Sequence, residues 1–403
     1  MSAYESPPLP TASPTKSIGL SITILAFSAF LIVTTEFLIV GLLPSLAREL
    51  DISISVAGQL VTLFAFTVMV FGPPLTAALS HLDRKKLFIA ILLVFAAANA
   101  LAAVANSFWV LAVARIVPAL ALPVFWGTAS ETAGQLAGPQ RAGQAISKVY
   151  LGISAAMLLG IPLGTVVSNA IGWRGAFWLL AGSALAMAIA MSAFMPTVTR
   201  TAKVDFLKQA RIFKEAYFLS NVCLSIVVFT AMFIAYTYLA DILERVGGVA
   251  HEQIGWWLMG FGAIGLLGNW IGGKAVDRSP LRATVFFLVL LAIGMAAIVP
   301  LAGAGLFFCM ALGVWGVANT ALYPISQVRV MRSVSHAHAL AGTTNVSAAN
   351  AGIGAGAIIG GMTIPSLGIE YLGYVAATAA VLALALTPLV SRCGSARVPG
   401  SPR

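Results

Sequence analysis

Two ionisable residues of opposite charge, Glu36 and Arg115, lie well inside long apolar stretches of the sequence. A charged side chain at the centre of a bilayer costs a few kcal/mol on insertion scales unless it is paired or hydrated. Glu36 lies about eight residues from the end of the first stretch and Arg115 about seven from the start of the fourth, so ~1.5 Å per residue puts both roughly 10 to 12 Å deep. At matching depth, this acid and this guanidinium are the strongest candidates for chemistry in the chain.

The composition indicates which elements must position these residues. Of 403 residues, 60% are hydrophobic and 9% are charged, and the mean hydropathy of +0.96 is far above globular values. A bilayer core of about 30 Å needs roughly 20 apolar residues per helix, and the apolar runs show no strand alternation. We therefore predict an all-α membrane protein with twelve spans, at roughly 18–43, 55–79, 86–105, 108–130, 142–168, 173–195, 216–241, 252–273, 283–301, 305–328, 338–364 and 370–391.

The longest polar stretch divides these spans six and six. It predicts a cytoplasmic tail at 1–17, a six-helix bundle at 18–195, a cytoplasmic central loop at 196–215, a second bundle at 216–391 and a cytoplasmic tail at 392–403. An offset of 196 residues superposes the halves, placing Gly72 on Gly268, His81 on Asp277, and Gly160 and Gly164 on Gly356 and Gly360. This register indicates an internal duplication. Two related six-helix halves with a site between them are typical of secondary transporters.

Basic residues concentrate in alternate loops, which predicts the orientation. The connections after spans two, six, eight and ten carry most of the Lys and Arg, including Arg329 and Arg332 after span ten. We therefore expect these loops and both termini on the cytoplasmic side of a bacterial-type inner membrane. The net charge of +10 is spread over these loops, so we expect the lipid bilayer and no nucleic acid as a partner.

Motifs for catalysis or metal binding are missing from the sequence. The three cysteines, Cys223, Cys309 and Cys393, have no metal-like spacing. There is no phosphate-binding glycine loop, nucleophile elbow or zinc helix motif. We expect no enzyme activity, no cofactor and no metal.

Several segments resemble the major facilitator superfamily, and within it the twelve-span drug:proton antiporters and the sugar-efflux branch of arabinose efflux permeases. The second-half loop, with Gly273, Asp277 and Arg278, resembles the family's cytoplasmic motif, whereas its first-half counterpart has His81 in place of the acid, ahead of Arg84. Leu111 to Arg115 resembles the fourth-span motif that carries a buried arginine. Further matches are Gly160-Ile161-Pro162-Leu163-Gly164, which resembles the antiporter motif of span five, and Glu36 to Pro44, which resembles the first span of the sugar-efflux group.

The resemblance implies the major facilitator fold, a monomer, and a central cavity lined by spans one and four in the first half. Glu36 and Arg115 would then meet in that cavity, with Glu36 as the proton-carrying acid and Arg115 as the cation that favours its ionised form. A structural ion pair holding spans one and four is the alternative. We expect the motif residues to have conformational or gating roles; they are Arg84, Gly160, Pro162, Gly164, Gly273, Asp277, Arg278, Gly356 and Gly360. For the glycines, the alternative is that they only pack helices together.

Aromatic and amide residues of the second half are the candidates for substrate contact. They are Tyr236 and Tyr238 in span seven, and Trp315, Asn319 and Tyr323 on one face of span ten. Rings that stack on apolar faces and an amide that binds hydroxyls favour a sugar-like or amphipathic small molecule. We expect a proton-coupled efflux transporter that works by alternating access. Proton-coupled uptake and a non-transporting membrane receptor are the alternatives.

Overall fold

The computed structural model describes residues 15–79, 81–138, 141–197, 210–335 and 338–395, and these residues are mostly helical, without strands. Most of the predicted tails (1–17 and 392–403) and central loop (196–215) lies outside the described residues, so these assignments stay predictions. The longer helices are Thr15–Glu49, Ile54–Leu79, Arg84–Ala103, Phe108–Ala137, Ala142–Ala155, Ile161–Phe194, Ala216–Tyr236, Leu239–Arg245, Ile254–Arg278, Pro280–Ala297, Leu306–Arg332, His338–Leu367 and Leu372–Ser395.

Spans five and six form one helical run that is interrupted twice. A π-helical turn, Ala156–Gly160, follows the first helix of span five, and the Ile161 N–H donates to the Ala156 carbonyl. Further along, Gly172 has φ +80° and ψ 158°, a left-handed conformation that glycine adopts without steric cost. This break separates span five (ending at 171) from span six (173–194). With the two counted separately, the described part of the chain contains twelve spans, as the sequence predicts.

Spans one and ten are longer than the sequence predicted. The first helix continues through Pro44 to Glu49, so Glu36 lies roughly 20 Å from its end at ~1.5 Å per residue. The tenth continues to Arg332, so the assignment of Arg329 and Arg332 to a loop was wrong. The predicted ends followed hydropathy, but a helix continues past its apolar residues wherever its polar side chains find partners.

The duplication is visible in how helices pack within each half. Gly160 of span five lies against the Thr34 side chain of span one, and Gly356 of span eleven lies against Thr230 of span seven. Thr34 and Thr230 are themselves 196 residues apart, so the two contacts are equivalent. Small residues permit such close approach, which matters in lipid because no hydrophobic force drives helices together. Gly160, Gly164, Gly356 and Gly360 therefore hold each half together.

The interface between the halves repeats one contact in two chemical versions. Gly354 of span eleven lies against the Phe66 ring of span two, while a Cβ added to Gly262 of span eight would lie 3.1 Å from the Leu158 Cα of span five. The 196-residue offset maps Phe66 onto Gly262 and Leu158 onto Gly354. At the first interface the glycine meets an aromatic ring, and at the second it meets main-chain atoms. The buried apolar core continues across both halves.

Replacing Gly356 with alanine should destabilise the protein, because the new Cβ would lie 2.8 Å from the Thr230 carbonyl oxygen. Overpacking of this kind costs about 1 to 3 kcal/mol. The matched control is Gly182→Ala, where a Cβ meets nothing within 4 Å. Thermal unfolding in detergent should show a lower Tm for Gly356→Ala only; equal Tm values for the two variants would contradict the close packing.

Candidate functional site

A pseudo-twofold axis between the halves passes between spans one and seven. The rings of Phe37 and Phe233 lie 6.0 Å apart between centroids, and Arg48 donates to the Glu244 carboxylate at 2.8 Å. In both pairs the partners are 196 residues apart, the offset that superposes the halves. Equivalent residues of two related halves touch only where the axis runs, so these pairs locate it.

Arg48, Glu244 and His251, which we call the axial cluster, join the halves at one end of the molecule. Arg48 Nη2 lies 2.9 Å from His251 Nδ1, and that ring nitrogen lies 3.5 Å from the Glu244 carboxylate. Ser45 Oγ lies 3.3 Å from His251 Nε2, and Asn169 Nδ2 donates to the His251 carbonyl at 3.1 Å. These contacts close this end between the two halves.

At the opposite end, the ion pairs of the described residues stay within one half. Arg84, 1% exposed, pairs with Glu131 at 2.8 Å in the first half, and Arg332 pairs with Asp277 at 3.2 Å in the second. The acid of the predicted loop motif therefore links the ends of spans eight and ten. Gly273 faces open space, and Arg278 and His81 are exposed. Among the described residues, the ion pair that joins the two halves therefore lies in the axial cluster.

Arg115 and Glu36 meet, but through the main chain. The Arg115 guanidinium, 2% exposed, donates to the Thr35 and Glu36 carbonyl oxygens at 2.6 Å each and lies 4.4 Å from the Phe64 ring centroid. Arginine's planar fork suits such two-point contact. The expected carboxylate–guanidinium pair is not formed, and the half-buried Glu36 side chain has no hydrogen bond or ion pair with another described residue. The arginine fixes span one to span four and leaves the carboxylate available.

A small, partly enclosed cavity of about 20 Å³, room for roughly one water, lies between the halves near the axis. Tyr236 and Asn319 line it, with Val40 and Pro162 from the first half. The Tyr236 ring lies 5.9 Å from the Phe261 ring, also in the lining. Glu36 is one helical turn from Val40, on the same face of span one. The acid therefore lies one helical turn from the cavity lining, whose walls are mostly apolar and aromatic.

Three predicted contact residues on span ten carry buried polar atoms without partners among the described residues. They are Trp315 Nε1, Asn319 Oδ1 and Tyr323 OH. Tyr323 also lies within electrostatic range of Glu36. A buried polar group without a hydrogen bond costs about 1 to 3 kcal/mol, so native structures leave few of them. These three unpaired groups lie along one face of span ten, and Asn319 also lines the cavity.

Tyr238, by contrast, lies away from the cavity. Its hydroxyl donates to the Ala357 carbonyl at 2.8 Å, and its ring packs against Gly58 of span two and Gly360 of span eleven. It is fully buried. The sequence could not separate Tyr238 from Tyr236, because the helix is interrupted between Ala216–Tyr236 and Leu239–Arg245, which redirects the second ring.

Arg329 is a buried residue that sequence reasoning missed. It is 3% exposed and donates to the Asn221 side chain at 3.1 Å and to Ser225 Oγ at 2.9 Å. No described carboxylate pairs with it. Neutral oxygens of span seven therefore hold the end of span ten. Its position near the end of an apolar run looked like a loop, and only the packing shows otherwise.

A family model described as the Major Facilitator Superfamily matches residues 25–346 of this chain, well over half of its length. The chain belongs to the Major Facilitator Superfamily. Among similar proteins, the inner membrane transport protein YdhP of Escherichia coli (strain K12) is 33% identical over 369 residues, which cover 91% of this chain and 95% of that protein. The uncharacterized MFS-type transporter YtbD of Bacillus subtilis (strain 168) is 32% identical over 371 residues, covering 90% and 93%.

Solved structures share the fold. A bacterial homolog of the human lysosomal transporter Spinster, inward-facing and unoccupied, superposes with a TM-score of 0.78 at 15% identity, covering 97% of this chain and 100% of that one. A D-xylose-proton symporter gives 0.76 at 15% identity, covering 91% and 96%. The chain is therefore a multi-pass inner-membrane transporter with the major facilitator fold, as predicted. Its placement in the drug:proton antiporter or sugar-efflux branch stays a prediction.

Reversing the charge of Arg48 should loosen the closed end of the transporter, because Arg48→Glu places a second carboxylate beside Glu244. Val40→Cys, in a background with the native cysteines replaced by serine, reports access to the cavity. An impermeant maleimide added from the axial-cluster side should label it about fivefold faster, equivalent to ~1 kcal/mol for a partly exposed ion pair.

The double variant Arg48→Glu with Glu244→Arg restores opposite charges at the axis and should return the labelling rate to its original value. Unchanged labelling in the single variant would show that the cluster does not hold this end closed.

Arg115→Lys should lower stability although it keeps the charge, because one ammonium cannot span two carbonyl oxygens as the guanidinium fork does. We expect a Tm decrease equivalent to about 1 to 3 kcal/mol, the range for a lost hydrogen bond to a charged group. Lys148→Arg, a swap of the same type at an exposed position, is the control. A Tm equal to that of the original protein would show that the two hydrogen bonds from Arg115 to span one do not stabilise the fold.

Proposed function

We propose that this transporter couples the movement of a small molecule to protons by alternating access, most simply as efflux by antiport. The observation that carries the proposal is the Glu36 carboxylate, held beside a cavity between the halves without an ion-pair partner of its own. Intramembrane acids in such positions are typical of proton relays. Among the described residues, the other acids lie at or near helix ends or in connections.

The hydrogen bonds of Arg115 support a proton-carrying role for Glu36, because they go to main-chain carbonyl oxygens and not to the Glu36 carboxylate. Arg115 is fixed to the main chain at 2.6 Å on each arm, so its position does not depend on whether the carboxyl is protonated. The carboxyl can therefore gain and lose a proton while its counter-charge stays in place. Met232 occupies the equivalent position in the second half, which favours coupling through the first half alone.

Orientation and conformation complete the proposal. The basic loops favour a cytoplasmic location for the end with Arg84 and Asp277, and in that orientation the axial cluster closes the periplasmic end. One proton crossing about 150 mV supplies roughly 3.5 kcal/mol, enough for a concentration ratio of a few hundred. Trp315, Asn319, Tyr323 and Tyr236 are the proposed substrate contacts. Their rings and hydrogen-bonding groups suit a sugar-like or amphipathic small molecule.

Reconstituted vesicles with an imposed pH gradient test both the coupling and its direction. A panel of pentoses and chloramphenicol-like amphiphiles is offered outside the vesicles. Antiport predicts accumulation only when the interior is acidic, and symport only when the exterior is acidic. Equal substrate accumulation with and without the pH gradient would contradict proton coupling.

Glu36→Gln should abolish gradient-driven accumulation while leaving substrate counterflow within about twofold of the original rate, because exchange needs binding but no net proton movement. Glu370→Gln, which neutralises an exposed acid at a helix start, is the control and should change neither rate. Full gradient-driven accumulation in Glu36→Gln would remove this residue from the mechanism.

A further inference from the structure

A groove of about 490 Å³ lies on the outer face of the second half, between spans nine and twelve. Span nine lines it with Leu281, Arg282, Val285, Phe286 and Val289, and span twelve with Thr387, Pro388 and Ser391. The groove is far from the central cavity, whose lining comes from spans one, five, seven, eight and ten. It is therefore separate from the central cavity.

The shape of the groove follows from the residues of span twelve. Pro388 has no N–H to donate to the Leu384 carbonyl one turn earlier, and Thr387 Oγ1 donates to it instead at 2.8 Å. The helix thus continues with small side chains on this face. Opposite them, Phe286 and Val289 are 57% and 41% exposed. A recess with apolar walls is left facing the lipid.

The charge of the groove lies at one end only. Arg282, in the first turn of span nine, is exposed and lines the groove. Arg392 follows Pro388 by one turn, so it extends the same face of span twelve at the same end. The N-terminus of Pro280–Ala297 also lies here, and its helix dipole favours an anion. One positive end and apolar walls running ~12 Å into the membrane match an amphipathic anion.

We propose that this groove binds an anionic phospholipid, with one acyl chain in the groove and the phosphate at Arg282 and Arg392. The bilayer that surrounds the transporter supplies such a ligand, because the apolar walls contact lipid and clustered basic residues at a helix end select anionic head groups. The bound lipid bridges spans nine and twelve at the end that carries the basic loops. This site is independent of the transported substrate and of proton coupling.

Native mass spectrometry of the detergent-purified transporter tests the site. Phosphatidylglycerol and phosphatidylcholine with identical acyl chains are titrated against the full chain. We expect phosphatidylglycerol adducts at concentrations where phosphatidylcholine gives few, and Arg282→Gln should weaken phosphatidylglycerol binding about fivefold. Arg211→Gln, which removes an exposed arginine outside the groove, should leave the affinity unchanged.

A second variant separates the groove from general charge attraction. Val285→Phe fills the middle of the groove without altering charge, and should also reduce phosphatidylglycerol adducts severalfold. Equal binding of the two lipids, equal effects of Arg282→Gln and Arg211→Gln, or full binding in Val285→Phe would each overturn the proposal. A dimer mass lost in Val285→Phe would instead identify a second copy of the chain as the occupant.

Discussion

The crossing of spans one and seven at the pseudo-twofold axis is the constraint on which the other features of this transporter depend. Helices in lipid gain nothing from hydrophobic association, so they are held by close packing and by a few polar contacts. Here the two halves meet through Phe37 and Phe233 in the interior and through Arg48 and Glu244 at one end. Closure of that end sets where the cavity lies and which side chains face it.

Divergence of the two copies is what makes this closure possible. Identical charges at equivalent positions would repel across the axis, whereas Arg48 and Glu244 attract. Equivalent positions also differ in the interfaces beside the axis, where the Phe66 ring packs against Gly354 and the Leu158 main chain packs against Gly262. A duplicated chain closes on itself tightly only when its copies have become complementary at the positions that touch.

The polar chemistry is likewise unequal between the halves. The first half contributes one acid and the arginine that fixes the main chain around it, whereas Met232 and Ala311 stand at the equivalent positions. The second half contributes the row of unpaired groups on span ten. Under the proposed function, proton binding and substrate binding come from different halves, so each can bias the rocking of one half against the other.

The sequence by itself determined the helical class, the twelve spans and the duplication with its register. These follow from hydropathy and spacing, because lipid leaves the backbone few alternatives to helices. The offset even pairs Arg48 with Glu244, although nothing local shows that the two touch. Only the tertiary structure decided that Arg115 binds carbonyls instead of a carboxylate, that Tyr238 packs away from the cavity, and that Arg329 is buried. Such outcomes depend on helix rotation and on interruptions of one or two residues, which change the direction of a side chain without changing the hydropathy of its surroundings.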